Sequence, residues 1–183
     1  MQADDSEILE KFAREETRHE AFNLLLGKYQ QKIYWHIRRL VIDHDDADDL
    51  VQEVFIKVWK SLSAFRNDSQ LYTWLYRIAT NESITFLNRK NVKKNISLDD
   101  IVGSELEESL AESSYFDGDK AQMKLQKALL TLPEKQRLIF NMKYFDDLKY
   151  EEISEILGTS VGGLKASFHI AVKKIEEYLS NTD

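Results

Sequence analysis

The sequence predicts an all-α protein of two small helical domains joined by a flexible acidic linker. The 183 residues include one proline and six glycines, whereas a β-sandwich or barrel needs a turn roughly every 8–12 residues. Apolar residues instead recur at three- and four-residue steps over long stretches, as on amphipathic helices. Residues 96–123 are rich in serine, aspartate and glutamate and lack that period, which indicates a linker between domains 1–95 and 124–183.

Three long helices are expected in the first domain. One apolar stripe runs through residues 22–40 and a second through 50–62, after an acidic start at 45–49. Acidic side chains in a first turn stabilise a helix through its dipole. Residues 61–70 interrupt the period and predict a loop, and a third helix is expected over 71–94.

Four shorter helices are expected in the second domain. The first closes at 125–130, and Pro133 fits the first position of the next, which runs to Tyr144. The third covers 150–157, and Gly158 is suited to the left-handed conformation that ends a helix. Ser160 is expected to cap the last helix, over 161–179, and to present its amide-rich start to a phosphate.

Charge and composition exclude several classes of protein. The net charge of −7 equals that of segment 96–123, with one basic and eight acidic residues, whereas 65–95 carries six basic and two acidic residues. Acidity overall is therefore no argument against nucleic-acid binding. Without cysteine there is no disulfide or thiolate zinc site. The chain shows neither a signal peptide nor an apolar run of about 18 residues, so we expect no membrane insertion and a cytoplasmic location.

An enzyme is not expected. The four histidines lack metal-ligand spacing, and neither a nucleophile elbow nor a phosphate-binding glycine loop is present. The acidic run 45–49 could hold magnesium only with a second acidic cluster on a facing helix, and the other dense cluster lies in the linker. We therefore expect no catalytic residues, no metal site and no cofactor.

Two motifs leave alternatives open. Residues 65–94 interleave aromatic with basic side chains, as a platform for single-stranded nucleic acid does, although core packing would explain the same aromatics. Residues 150–179 form a helix-turn-helix pattern that fits duplex DNA in the major groove, and equally an ordinary helical hairpin.

Two ordered blocks of sequence resemble a known family. The first comprises DDADDLVQEVFIKVW at 45–59, FRNDS at 65–69 and TWLYRIATN at 73–81. The second comprises LPEKQRLIFNMK at 132–143 and YEEISEILGTSVGGLKAS at 150–167. They resemble regions 2 and 4 of bacterial RNA polymerase sigma factors of the extracytoplasmic-function (ECF) group, in the family's order.

The resemblance implies core RNA polymerase and promoter DNA, duplex and melted, as partners. Contacts to polymerase, at the clamp helices of its largest subunits, are implied for Asp48, Asp49, Leu50, Gln52, Glu53 and Phe55, with the flap as a further polymerase contact. Binding of the −10 strand is implied for Phe65, Arg66, Asn67, Asp68, Tyr72, Trp74, Arg77, Asn81, Arg89, Lys90, Lys93 and Lys94. Binding of the −35 duplex is implied for Ser160, Gly162, Gly163, Lys165, Ser167, His169 and Lys173.

The family also implies an anti-sigma protein as a partner, which could hold the chain at the membrane. The helix at 161–179 carries fewer cations than is usual in the family, which implies weaker duplex anchoring. Two other functions remain as alternatives to an alternative sigma factor. A stand-alone helix-turn-helix regulator would bind duplex DNA without polymerase, and a helical interaction module would show no salt-dependent DNA affinity.

Overall fold

A computed structural model describes residues 4–94 and 120–181. Within these ranges the chain forms eight α-helices and two short 3₁₀ turns, without a β-strand. The predicted all-α class is confirmed. None of the helices in the described ranges combines the length and the apolarity that crossing a bilayer requires.

The first unit contains four helices. They are α1 (Asp5–Ala13), α2 (Arg18–Val41), α3 (His44–Ser61) and α4 (Leu71–Lys94), with 3₁₀ turns at Glu15–Thr17 and Leu62–Ala64. The last three match the predicted helices, and a loop follows the second 3₁₀ turn as expected. Helix α1 was not singled out from the sequence, because only Ile8 and Phe12 form its buried face against α2.

The second unit also contains four helices, α5 (Lys120–Leu130), α6 (Glu134–Tyr144), α7 (Tyr150–Leu157) and α8 (Val161–Ser180). Residues 120–123, which the sequence analysis placed in the linker, belong to α5; the predicted linker from residue 96 to 119 lies outside the described residues. Pro133 is the N-cap of α6, one residue before the predicted position, because its ψ of 143° is extended.

The two units pack against each other. Helix α7 lies on α4, and α6 contacts α2. Buried side chains of the second unit, Leu138, Ile139, Met142, Leu148, Ile153, Ile156 and Leu164, belong to the same apolar cluster as the core of the first unit. A second cluster, around Leu129, Phe140 and Ile175, holds α5, α6 and α8 together.

Candidate nucleic-acid and polymerase interfaces

Helix α3 separates a buried apolar face from an exposed face that is mainly acidic and polar. Asp43 caps its start by accepting a hydrogen bond from the Asp46 amide at 2.9 Å, and Asp45 lies in the first turn. The carboxylates therefore stabilise the positive end of the helix dipole. Four of the predicted polymerase contacts, Asp48, Asp49, Gln52 and Glu53, are exposed.

The other two predicted polymerase contacts are core residues. Leu50 is 3% exposed and Phe55 is 5% exposed, and the Phe55 ring packs edge-on to Phe22 at 6.4 Å between ring centroids. They fix the position of α3 and contribute no contact area to its outer face. The sequence analysis placed both in the apolar stripe over 50–62 and also, through the family motif, among the implied polymerase contacts; their burial agrees with the apolar stripe.

An apolar residue that the sequence analysis missed completes the outer face of α3. Ile56 is 56% exposed. It follows Gln52 and Glu53 by four and three residues and so lies next to them on the helix surface. The sequence could have revealed it, because this isoleucine lies outside the apolar stripe that forms the buried face of the helix. We call Asp48, Asp49, Gln52, Glu53 and Ile56 the α3 stripe.

The loop before α4 is anchored by aromatic packing. Phe65 is half-buried, and its ring lies 5.2 Å from that of Trp74. The next three residues, Arg66, Asn67 and Asp68, are exposed. Asn67 adopts a φ of 58°, a left-handed conformation that asparagine tolerates better than most residues. The predicted −10 loop thus presents three polar side chains from an apolar anchor.

Helix α4 carries the remaining predicted −10 residues at different degrees of exposure. Asn81 and Arg89 are exposed, and Tyr72, Trp74 and Arg77 are half-buried. The Arg77 Nε atom is buried and has no hydrogen-bond partner among the described residues. Thr85 and Asn88, which the sequence analysis did not single out, are also exposed and share a helical face with Asn81 and Arg89.

Lys90, Lys93 and Lys94, which the resemblance also places among the −10 residues, need separate comment. Lys90 Nζ lies 2.7 Å from Asp46 Oδ2, so this cation already ties α4 to the first turn of α3. The pair is partly exposed, and a phosphate could replace the carboxylate at little cost. The side chains of Lys93 and Lys94 lie outside the described residues.

The helix-turn-helix geometry of the second unit is confirmed. Gly158 ends α7 with a φ of 65°, and its amide donates to the Ser154 carbonyl. Ser160 caps α8, its hydroxyl accepting from the Gly163 amide at 3.2 Å. Both features follow from residue chemistry, because glycine adopts the left-handed conformation without penalty and serine satisfies a free helix amide.

The outer face of α8 carries the predicted −35 residues. Ser160, Gly162, Lys165, His169 and Lys173 are exposed, and the last four recur at steps of three and four residues. Gly163 and Ser167 are half-buried. Lys165 Nζ lies 5.7 Å from the centre of the Tyr150 ring on α7, which braces it beside the start of α8.

The acidic run at 45–49 is used by the fold itself. Asp46 pairs with Lys90, and Asp48 Oδ2 lies 3.4 Å from His44 Nε2. Within the ranges that the structure describes, no cluster of histidine, aspartate and glutamate side chains is arranged to hold a metal ion.

Comparison with known proteins identifies the class to which this arrangement belongs. Residues 25–92 match the family model for sigma-70 region 2, and residues 122–175 match that for sigma-70 region 4. The RNA polymerase sigma-H factor of Pseudomonas aeruginosa is 32% identical over 97% of this chain and 95% of its own length. The ECF RNA polymerase sigma-E factor of Escherichia coli K12 is 32% identical over 85% of each chain.

Solved structures share the fold. The sigma factor RpoE of Bartonella quintana, in complex with the anti-sigma factor NepR, superposes with a TM-score of 0.72 at 24% identity, covering 87% of this chain and 96% of that one. CnrH, in complex with the cytosolic domain of CnrY, gives a TM-score of 0.70 at 19% identity and covers 96% and 97% of the two chains.

The chain belongs to the ECF group of the sigma-70 family. It is an alternative sigma factor, which directs RNA polymerase to initiate transcription, and its partners are core RNA polymerase and promoter DNA. The alternative of a stand-alone regulator is not favoured, because both sigma regions are present in order.

Proposed function

We propose a division of labour among three surfaces of this sigma factor. The α3 stripe holds the clamp helices of core polymerase, the 65–69 loop with α4 captures the melted −10 strand, and α8 enters the major groove of the −35 duplex. The observation that carries the proposal is that each of the three helices packs one face into a core and exposes part of its predicted contact set on the other, with Asp49 on α3, Asn81 on α4 and Lys165 on α8 as examples.

The α3 stripe suits a protein partner. Four acidic or polar side chains lie on the N-terminal side of one exposed isoleucine, a composition that combines an apolar anchor with polar neighbours. Acidic groups steer a basic partner and repel DNA phosphates, so the stripe favours polymerase over nucleic acid.

The 65–69 loop and α4 suit an unpaired strand. Arg66 and Arg89 supply positive charge, and Asn67 and Asn81 supply hydrogen-bond donors and acceptors without a fixed charge. The half-buried Phe65–Trp74 pair gives a flipped base an apolar floor. Extrusion of a base costs a few kcal/mol, so a site that binds the extruded base both melts and selects the strand.

Helix α8 suits the binding of duplex DNA with modest affinity. Its amide-rich start lies beside exposed Ser160 and Gly162, and Lys165 and Lys173 follow on the same side. Gly162, which is exposed and has open space where a side chain would lie, allows close approach of the helix to DNA. With few cations on this helix, we expect stable −35 binding only when polymerase holds the chain as well.

An anti-sigma protein is the second partner that we propose, since the sigma factor RpoE of Bartonella quintana, which shares this fold, is bound to the anti-sigma factor NepR, and CnrH is bound to the cytosolic domain of CnrY. A groove of about 230 Å³ between α2 and the α5–α6 pair is available to it. The lining combines apolar surface, including Leu125, Tyr144 and Phe145, with the cations Arg38 and Arg39. We place the chain in the bacterial cytoplasm, where polymerase and promoters are, or at the membrane when such a partner anchors it.

Reconstituted transcription tests the proposal. Purified bacterial core polymerase with this chain should initiate at discrete sites on genomic DNA, mapped by 5′-end sequencing. An Arg66→Ala variant should lower opening of the −10 region, followed by permanganate reactivity of unpaired thymines, while leaving duplex binding intact. Lys165→Ala should instead lower duplex binding and reduce its log–log salt slope by about 0.9. Asn23→Ala, at an exposed residue of α2 outside the three predicted contact sets, is the control.

Two results would contradict the proposal. Absence of initiation on any genomic template would refute the division of labour as a whole. Equal effects of Arg66→Ala and Lys165→Ala on opening and on duplex binding would refute the separation between the strand-binding and duplex-binding units.

A further inference from the structure

A buried ion pair joins the two units at the turn between α6 and α7. The Asp146 side chain is 3% exposed. Its Oδ2 atom lies 2.7 Å from His36 Nδ1, and its Oδ1 atom lies 2.8 Å from Arg39 Nη1, both on α2. On its other side, His36 Nε2 lies 2.8 Å from Thr80 Oγ1 of α4. One carboxylate of the second unit thus closes a hydrogen-bonded chain through two helices of the first.

The turn that carries Asp146 is held in place by its own backbone. The amides of Phe145 and Asp146 both donate to the Asn141 carbonyl, and the Leu148 amide donates to the Met142 carbonyl. Asp147 adopts a φ of 53°, so the chain reverses immediately after Asp146. These bonds fix the backbone from which the Asp146 carboxylate reaches α2.

Neighbouring aromatic side chains close the site. The Arg39 guanidinium lies 4.7 Å from the centre of the Phe145 ring, and His36 packs edge-on to Tyr76 at 4.9 Å. Burial, and then the charge of Asp146, raises the pKa of Tyr76 well above its ordinary value. The carboxylate has exchanged water for His36 and Arg39, and loss of either side of such a buried pair strongly destabilises the contact.

The closed packing is incompatible with simultaneous binding of both promoter elements. Elements centred near −10 and −35 are about 25 base pairs apart, or roughly 85 Å along B-DNA. A compact chain of this length has a radius of gyration of about 16 Å, so α4 and α8 cannot reach both elements while α7 lies on α4. The 25 residues from 95 to 119 can extend to at most about 80–90 Å, enough for the units to separate.

We propose that Asp146 is a latch that keeps the sigma factor closed until polymerase and promoter pull the units apart. The latch sets the ratio of closed to open chain, while the apolar packing of α7 on α4 supplies the rest of the contact. Polymerase and both promoter elements bind the open form, and a weaker latch therefore raises the apparent affinity for them. Only the last consequence, the higher apparent affinity for polymerase and promoter, rests on the proposed function.

The conformational part is tested without polymerase or DNA. The chain has no cysteine, so cysteines at exposed Glu15 and Glu177 take a fluorescent donor and acceptor, one in each unit. We expect Asp146→Asn to raise the ratio of open to closed chain at least tenfold, seen as a loss of energy transfer and a larger radius of gyration in X-ray scattering. The matched control is Asp147→Asn, at an exposed neighbour without a pairing role, where asparagine tolerates the left-handed backbone.

A second variant guards against misfolding. Arg39→Gln removes the other charge and should open the chain in the same direction, with helix content unchanged by circular dichroism. Energy transfer in Asp146→Asn equal to that in Asp147→Asn would overturn the latch, as would a loss of helix content in both latch variants. If the variants open, apparent affinity for core polymerase should rise at least threefold. Unchanged affinity of an open variant would overturn the regulatory role even where promoter-directed initiation is observed.

Discussion

Removal of the exposed isoleucine on α3 tests whether the α3 stripe binds polymerase. We expect Ile56→Ala to weaken binding of core polymerase while leaving the fold intact. The side chain is more than half exposed in the free chain, so truncation removes little packing. Its effect should therefore appear in the complex.

The magnitude follows from the exposed fraction. Full burial of an isoleucine side chain stabilises by about 1.5–3 kcal/mol. Since 56% of Ile56 remains exposed, its burial against polymerase has about 0.8–1.7 kcal/mol left to contribute. Loss of that contribution raises the dissociation constant about 4- to 16-fold.

Fluorescence anisotropy measures this effect. The labelled chain is titrated with core polymerase, and unlabelled variants compete for it. Thermal unfolding is recorded in parallel, and Ile56→Ala should unfold at the temperature of the unmodified chain. Leu50→Ala provides the contrast, because truncation of this 3%-exposed core residue costs about 2–5 kcal/mol of the free energy of unfolding.

Two outcomes would refute the reasoning. A folded Ile56→Ala variant that competes within twofold of the unmodified chain would show that Ile56 lies outside the polymerase contact. A large fall in its unfolding temperature would show instead that Ile56 supports the fold. Asn23→Ala, which changes an exposed residue on α2, controls for non-specific loss of affinity.

Two further predictions concern stability. A Cβ at Gly162 would meet open space, whereas one at Gly163 would lie 3.2 Å from the Ser160 hydroxyl that caps α8. We therefore expect Gly162→Ala to raise the free energy of unfolding by about 0.4–1 kcal/mol and Gly163→Ala not to raise it. Equal gains for the two variants in urea denaturation would contradict this difference. Burial, and then the hydrogen bond to Asp5, raises the pKa of Tyr29 above its ordinary 10.0. Its contribution to stability is thus complete below about pH 10 and is lost as the pH rises further. Unfolding temperatures measured from pH 8 to 11 should fall less for Tyr29→Phe than for the unmodified chain, and parallel curves would argue against the shift.

Local chemistry made most helices of this protein predictable. Glycine at 158 and serine at 160 have conformational and hydrogen-bonding properties that define a helix end and a helix start, and both occur where expected. Helix α1 was not predicted, because it buries only two residues. Pro133 was predicted as the first residue of α6 but lies one residue before that helix begins. Such boundaries depend on single backbone angles, which periodicity does not resolve.

The sequence predicted where along the chain the candidate contacts lie, but not which of them are exposed to solvent. A motif locates residues along the chain, whereas helix phase and packing decide which of them are exposed. Leu50 and Phe55 therefore proved to be core residues, while Ile56 faces solvent beside Gln52 and Glu53.

The sequence alone determined the all-α class, the helix-turn-helix and the sigma-factor family, because short-range periodicity, capping residues and ordered motifs are properties of neighbouring residues. Only the tertiary structure decided how the two units meet. The contact of Asp146 with His36 and Arg39 joins positions more than 100 residues apart, and no local pattern encodes such a pairing. It depends on the packing of the second unit against the first, which places one carboxylate beside His36 and Arg39 of α2.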